Sequence, residues 1–426
     1  MRKHYFLLCI TQALVFLVPV ILARTSTFSI TSNNVEFEEN TAKIPAKILT
    51  ANIANQTEGS LPGSNSTRRD LHACQAANPI DKCWRCKPDW AENRQALADC
   101  ALGFAKGTTG GKGGEIYEVT DPSDDACDKP KEGTLRFGVT RDKPLWIIFT
   151  KDMVITLKHE LVICNDKTID GRGASVEIAN GAGLTIGNVK NVIIHGIHIH
   201  HVKVTEGGMI SDSETHSRSR AKNDGDGIYI YGSSKIWIDH VTLNDGPDGL
   251  VDVTQGATCV TISNCKFTSH NKVMLLGADI THTQDKNMQV TVAYNKFGEG
   301  CIQRLPRCRY GFFQVVNNDY HKWQMYAVGG SSDPTILSQG NRFLAPDVAK
   351  SKQVTQRHDA PEEEWKNWKW KTQNDTFLNG AFFVPSGGEW EPTPEQSAGL
   401  IPPCPEPVEA LTCDAGKLTC TPGQPC

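Results

Sequence analysis

Between about residue 115 and residue 345 the chain alternates short apolar runs with single Gly, Asn and Asp residues. The runs are Leu145–Phe149, Val154–Leu157, Leu184–Ile186, Asn191–His195, Lys235–Asp239, Val260–Asn264, Gln289–Asn295, Phe312–Asn318 and Thr335–Asn341. Each has strand length and is rich in Val, Ile and Phe, and several close on Asn or Asp. Asn264, Asn295, Asn318 and Asn341 are spaced by 31, 23 and 23 residues. A strand that recurs at such intervals without helices between predicts a stacked solenoid. Alternate residues of each strand would face inward, and polar residues would turn the corners. An Asn at a corner tolerates left-handed backbone and can hydrogen-bond its copy in the next coil. A sandwich or propeller would place Asn-Gly or Asp-Gly between paired strands. The Asp-Gly pairs at 170, 224, 226 and 248 do not divide the runs that way. The pattern therefore predicts an all-β fold, a right-handed parallel β-helix.

The flanks differ. Residues 71 to 105 read as helix, with apolar positions at helical spacing over Asn93–Leu102. This segment is expected to cap one solenoid end, and the Trp-rich tail from 365 the other. Gly110–Gly114 resembles a phosphate loop, but no Lys-Ser/Thr pair follows, so a turn is expected. Met1-Arg2-Lys3-His4 followed by the apolar run Tyr5–Ala23 predicts a secretory signal peptide, residues 1–23. A polar leader over 24–70 carries the glycosylation sequons at Asn55 and Asn65, and a third lies at Asn374. The solenoid domain is expected over 71–385 and a C-terminal tail over 386–426.

Charge and cysteine content narrow the function. A net charge of −4 argues against a nucleic-acid binder that relies on bulk positive charge. No later run approaches membrane-spanning length, so a soluble secreted protein is expected once the signal is removed. Of 15 cysteines, Cys9 lies in the signal. Export favours disulfides over a zinc site at Cys83-Trp84-Arg85-Cys86. The expected pairs are Cys83–Cys100, Cys301–Cys308 and Cys420–Cys426, the last two by closeness alone, with free thiols expected among Cys164, Cys259 and Cys265.

The candidate chemistry lies on successive coils. Asp224 and Asp226 precede the strand at Ile228, and Asp248 and Asp252 follow one coil later. Oxygen-only ligands in a secreted protein point to Ca²⁺ rather than Zn²⁺. The same residues equally suit turns, and the pattern alone leaves both readings open. Lys272 follows on the next coil and Arg304 and Arg309 on the one after. Stacked in register, these groups would form one groove suited to a linear polyanion, with arginines offering forked hydrogen bonds to its carboxylates. His195, His198, His200 and His201 alternate with isoleucine and are expected to line a strand face rather than hold a metal.

Several stretches, in order, resemble the plant pectate lyases: Ile169-Asp170-Gly171-Arg172-Gly173, Trp237-Ile238-Asp239-His240, Asp248-Gly249-Leu250-Val251-Asp252, Val273-Met274-Leu275-Leu276-Gly277 and Arg304-Leu305-Pro306-Arg307-Cys308-Arg309. The match spans about residues 70 to 385. Gln303–Phe313, Leu276–Asp279 and the ending Cys420–Cys426 look closest to the pollen allergens of that family, of the ragweed and mugwort type. The resemblance implies a Ca²⁺-dependent lyase that cleaves de-esterified homogalacturonan (pectate) by β-elimination. It implies a secreted monomer of the plant cell wall. It places the metal on Asp224, Asp226, Asp248 and Asp252, the catalytic base at Arg304, and substrate contacts at Lys272 and Arg309. Lys272 stands where many plant members carry Glu, and Gly246-Pro247 where Cys-Ala is frequent. The segment Ser211–Lys222 is long and polar and is expected to overhang the groove. The rival readings are a non-catalytic pectin-binding wall protein, which would have lost Arg304, and a polygalacturonase-type hydrolase, whose paired acids and His and Arg-x-Lys set are not found.

Overall fold

The computed structural model describes residues 76–426. The expected signal peptide, the leader and the sequons Asn55 and Asn65 lie outside the described residues. Three parallel sheets of ten, nine and eight strands dominate. The chain visits them in a repeating order. Lys190–His195 belongs to the ten-stranded sheet, His198–His200 to the nine-stranded and Ile228–Tyr231 to the eight-stranded. Ser234–Asp239, Thr242–Asn244 and Val251–Thr254 then repeat the circuit one coil on. This is the parallel β-helix, and the expected strands coincide with observed ones to within a few residues at either end.

Side chains stack in columns because register is kept from coil to coil. Val192, Ile236, Val260, Val290, Phe313 and Ile336 form one buried column. Ile186, Ile230, Val253, Leu276 and Cys308 form another on the eight-stranded sheet. In the nine-stranded sheet Phe267, Phe297, Tyr320, Phe343 and Phe377 stack with ring centroids 5.1, 4.6, 4.5 and 5.7 Å apart. Offset stacking adds specificity to the area each ring buries.

The polar corner column contains three of the four expected asparagines and departs from expectation by one residue at its first member. Asn295, Asn318 and Asn341 hydrogen-bond in series, each Nδ2 to the next residue's Oδ1, and the series ends on Asp375. Asn264 is not a member; Cys265 holds the equivalent place and its N–H donates to Asn295 Oδ1. Asn264 instead aligns with His240 and Asn317 at the preceding corner, where the backbone is left-handed (φ 51°, 51° and 56°).

The residues read as one helix form three short pieces: an α-helix over Pro79–Trp84 and 3₁₀ turns over Arg94–Cys100 and Gly103–Ala105. They lie along the outer flank of the ten-stranded sheet, where Ile80, Trp84 and Leu97 pack on Trp146, Ile193 and Trp237. Tethers at short intervals explain the break-up. The Phe104 and Ala105 amides donate to Thr291 and Thr261 hydroxyls, and Cys83 is bridged to Cys100. Leu135–Val139, a separate short helix, supplies Leu135 and Val139 to the core beside the first strands. Trp368 and Trp370 pack into the same core at the other end of the sheet stack. Gly111 lies so close to the Leu145 carbonyl that a Cβ would collide with it, so Gly110–Gly114 is a turn set by packing.

Two disulfides follow expectation, Cys83–Cys100 and Cys420–Cys426. Cys301–Cys308 is not formed, and both residues are free and buried. Cys308 occupies an inward column position beside Leu276, whereas the Cys301 thiol donates to the Phe267 carbonyl. Closeness in sequence did not bring the two side chains to one face. Cys164, Cys259 and Cys265 are free as expected.

Burial pushes the Asp375 carboxyl up to about 6, against hydrogen bonds from Ser338, Thr372 and Asn341 that favour its charge. Its pKa is raised on folding, so the native state binds more protons and stability falls as pH rises from about 4 to about 6. Asp375→Asn is expected to continue the amide series and to flatten that fall, measured as Tm against pH.

Candidate active site

The groove lies on the eight-stranded sheet. Thr185, Tyr229, Asp252, Leu275 and Arg307 form an outward column on successive strands. Asp252 therefore stands beside Tyr229 on a rigid strand. Asp224 and Asp226 sit in the loop entering Ile228–Tyr231, and Asp248 in the loop entering Val251–Thr254. All four aspartates, with Lys272 and Arg304, line one cavity of about 780 Å³. Arg309 does not. It lines the adjoining cavity of about 1340 Å³ with Lys286, Tyr310 and Ser332, and Ala278 borders both.

Two of the carboxylates, Asp226 and Asp252, converge over Gly249. Its N–H donates to Asp226 Oδ1 at 2.8 Å, and a Cβ there would collide with Asp252 Oδ1 and stand 2.8 Å from Asp226 Oδ1. Asp252 Oδ1 is buried and has no hydrogen-bond partner among the described residues. Burial, with repulsion from Asp224 and Asp248, pushes Asp226 up to about 7, although the Gly249 N–H and Lys272 oppose the shift. Burial and the Asp226 charge push Asp252 well above the carboxylate range, against the pull of Arg304. Lys272 Nζ reaches Asp248 Oδ1 at 2.5 Å. A crowded, all-oxygen donor set with an unpartnered buried oxygen fits a hard divalent cation.

Arg304 is held by its backbone. It takes a left-handed φ of 60° before the cis Leu305-Pro306 bond, and its carbonyl accepts from the Met274 N–H at 2.7 Å. Its Nε makes no hydrogen bond among the described residues. Arg309 Nη1 donates to Ser332 Oγ at 2.8 Å, and Arg307 Nη2 reaches Asp359 at 3.1 Å. Burial holds Arg307 below its ordinary value, and the neighbouring Arg304 charge acts the same way.

The wall of the cavity contains residues the sequence reading did not identify. Gly208–Ser211 and Ser217–Arg220 form an antiparallel hairpin that brings Arg218, Arg220 and Lys222 to the groove, as the long polar segment suggested. Arg220 forms a two-pronged pair with Glu160, at 2.5 and 3.0 Å, and Glu160 also accepts from Thr185. A separation of 60 residues along the chain leaves no local signal of that pair. Asp170, Arg172, Asp239 and His240, prominent in the motifs, lie outside the groove and anchor the N-terminal flank. Asp170 accepts from Trp146 Nε1, Arg94 and Arg172, while His240 bonds Asp81 at 2.8 Å.

The family model for pectate lyase matches residues 92–362. The chain belongs to the pectate lyase family. Pectate lyase 4 of Ambrosia artemisiifolia is 59% identical over 367 residues, 86% of this chain and 92% of its own length. A pectate lyase of Lilium longiflorum is 59% identical over 368 residues, 85% of each chain. The crystal structure of the major allergen from cedar pollen superposes with a TM-score of 0.78 at 46% identity, covering 80% of this chain and all of that one. The chain is thus a plant pectate lyase of the pollen-allergen type, and the parallel β-helix is the fold it shares with these relatives.

The convergence over Gly249 leads to a specific outcome. Gly249→Ala is expected to weaken any divalent-cation binding there about tenfold or more, the scale seen when a ligand's support is lost. Calorimetry measures this, and Tm in chelator is expected to change little.

Proposed function

We propose that the groove cleaves α-1,4-linked polygalacturonate by β-elimination, leaving 4,5-unsaturated oligogalacturonates, with Arg304 as the base. The observation that carries this reading is the placement of Arg304 in one cavity with four carboxylates and Lys272. The reaction removes the proton on C5 of a galacturonate and expels the oxygen on C4. That proton is α to a carboxylate, so its removal needs positive charge close to the substrate acid. Asp224, Asp226, Asp248 and Asp252 would hold Ca²⁺, which when bound supplies Lewis-acid stabilisation of the developing charge. Lys272, held by Asp248, and Arg309, one cavity along, contribute further positive charge and orient successive sugar carboxylates. Arg304 accepts the C5 proton from its fixed position. A guanidine base is demanding, since arginine stays protonated to about pH 12. Alkaline pH therefore favours the reaction.

The described residues contain no helix long and apolar enough to cross a membrane. The disulfides Cys83–Cys100 and Cys420–Cys426 suit an oxidising compartment. These features support secretion into the plant cell wall, where the chain would act as a monomer on pectate.

The test is incubation with polygalacturonate at pH about 8–9, following the unsaturated product near about 235 nm with Ca²⁺ and with chelator. A Ca²⁺-dependent rise is expected, and Arg304→Ala is expected to lower it by about 10²–10⁴-fold without lowering Tm. New reducing ends without that absorbance would mean hydrolysis instead. Pectate binding with neither signal would mean a binding protein.

A further inference from the structure

The nine-stranded sheet carries a cluster with no part in the groove chemistry. Glu177 lies on Val176–Ala179 and faces His198 on the next strand, in register, while His200 lies opposite Ala179. Ile178 and Ile199 point into the core, each 1% exposed, so Glu177, His198 and His200 share the outer face. One donor atom from each of the three lies within 4.8 Å of the other two.

The hydrogen bonds around the cluster have a direction. His198 Nε2 lies 2.7 Å from Asn244 Oδ1, an acceptor, so the ring carries its hydrogen there and keeps the Nδ1 lone pair free of it. His200 Nε2 faces Glu177 Oε2 at 3.1 Å, and its Nδ1 faces His201 Nδ1 at 2.5 Å. His201 Nε2 in turn faces Asp245 Oδ2 at 3.4 Å. If His200 donates to Glu177, the hydrogens of two neutral rings run toward Glu177, and a lone pair on His201 faces Asp245. If a cation bridges Glu177 and His200, the order reverses. His200 Nδ1–H donates to His201, His201 Nε2–H donates to Asp245, and the relay ends on a carboxylate. Metal-bound imidazoles are held in that way, with the far ring nitrogen donating outward.

We propose that Glu177, His198 and His200 form a metal site for Zn²⁺. Two imidazoles and one carboxylate form a borderline donor set that favours Zn²⁺ over Ca²⁺, and three protein ligands leave a fourth position for water. The ligands come from adjacent coils, so the ion clips the strands Val176–Ala179 and His198–His200 together from outside.

The experiment uses the untagged full chain, stripped with chelator and returned to millimolar Ca²⁺ so that the acidic groove is filled. Calorimetric titration with ZnCl₂ is expected to show one equivalent bound. Glu177→Gln and His200→Ala are each expected to weaken that binding about tenfold or more, and the double variant to abolish it. His201→Ala, which removes only the relay, is expected to weaken it less. Asp248→Asn in the groove is expected to leave it unchanged. Wild-type Tm is expected to rise with Zn²⁺, as for any ligand that binds only the native state, and the double variant's Tm is not. Retained cleavage of polygalacturonate by the Glu177 and His200 variants reports that they fold. Absence of Zn²⁺ binding to the wild type in Ca²⁺ buffer, or full binding by the folded double variant, would overturn the proposal.

Discussion

Parallel hydrogen-bond register is the constraint on which the other features depend. Once Ile228–Tyr231 pairs in register with Val251–Thr254, each residue is fixed above its counterpart, about 4.8 Å away. Inward positions then have to be apolar on every coil, and the aliphatic and aromatic columns meet that condition. Corner positions have to satisfy buried amides, and the series Asn295–Asn318–Asn341 does so with side chains that both donate and accept, closed by the accepting carboxylate of Asp375. Outward positions are free of both demands, and function is written there.

The same register concentrates like charge. Aspartates scattered along a flexible loop would move apart, but Asp252 stands on a strand, and Asp226, two residues before the adjacent strand, is tied to the Gly249 N–H. The sheet therefore bears an electrostatic cost in the ligand-free groove, visible in the two raised carboxyl groups. A bound cation would convert that repulsion into affinity. Gly249 matters to this balance because its lack of a side chain lets the two carboxylates meet over its backbone.

Much of this was legible in the sequence, for physical reasons. Strands with a two-residue period that recur without helices between them announce a solenoid, so the apolar runs located the sheets. Asp224, Asp226, Asp248, Asp252, Lys272 and Arg304 fall in one cavity because parallel register carries the same sheet face from coil to coil, while loops of unequal length take up the difference in spacing. What failed to show depended on single-residue offsets or distant partners. Asn264 and Cys265 exchange roles through a shift of one position at the corner. Cys301 and Cys308 are neighbours in sequence yet point to different interior surfaces. Helical spacing over Asn93–Leu102 shows as a 3₁₀ turn over Arg94–Cys100, beyond which Phe104 and Ala105 are tethered to Thr291 and Thr261. Glu160 and Arg220 meet only in the folded groove, as do Glu177 and His200 on the neighbouring sheet.

The tail runs back along the flank of the ten-stranded sheet. Ile401 and Cys404 engage Gln314 and Asn317, Gly416 engages Asn264, and Cys426 exchanges backbone and side-chain hydrogen bonds with Arg85. Arg85 is also paired with Asp81 and Asp414. A bare solenoid touches only its nearest neighbours and frays one repeat at a time. Here the segments before the first coil and after the last are buckled to each other across the middle coils. Peeling away either one exposes Trp146, Trp237 and Tyr294 at the centre of the stack. The linear array is thereby closed into a loop of contacts that is lost as a unit, which makes its unfolding cooperative where a row of repeats would unravel.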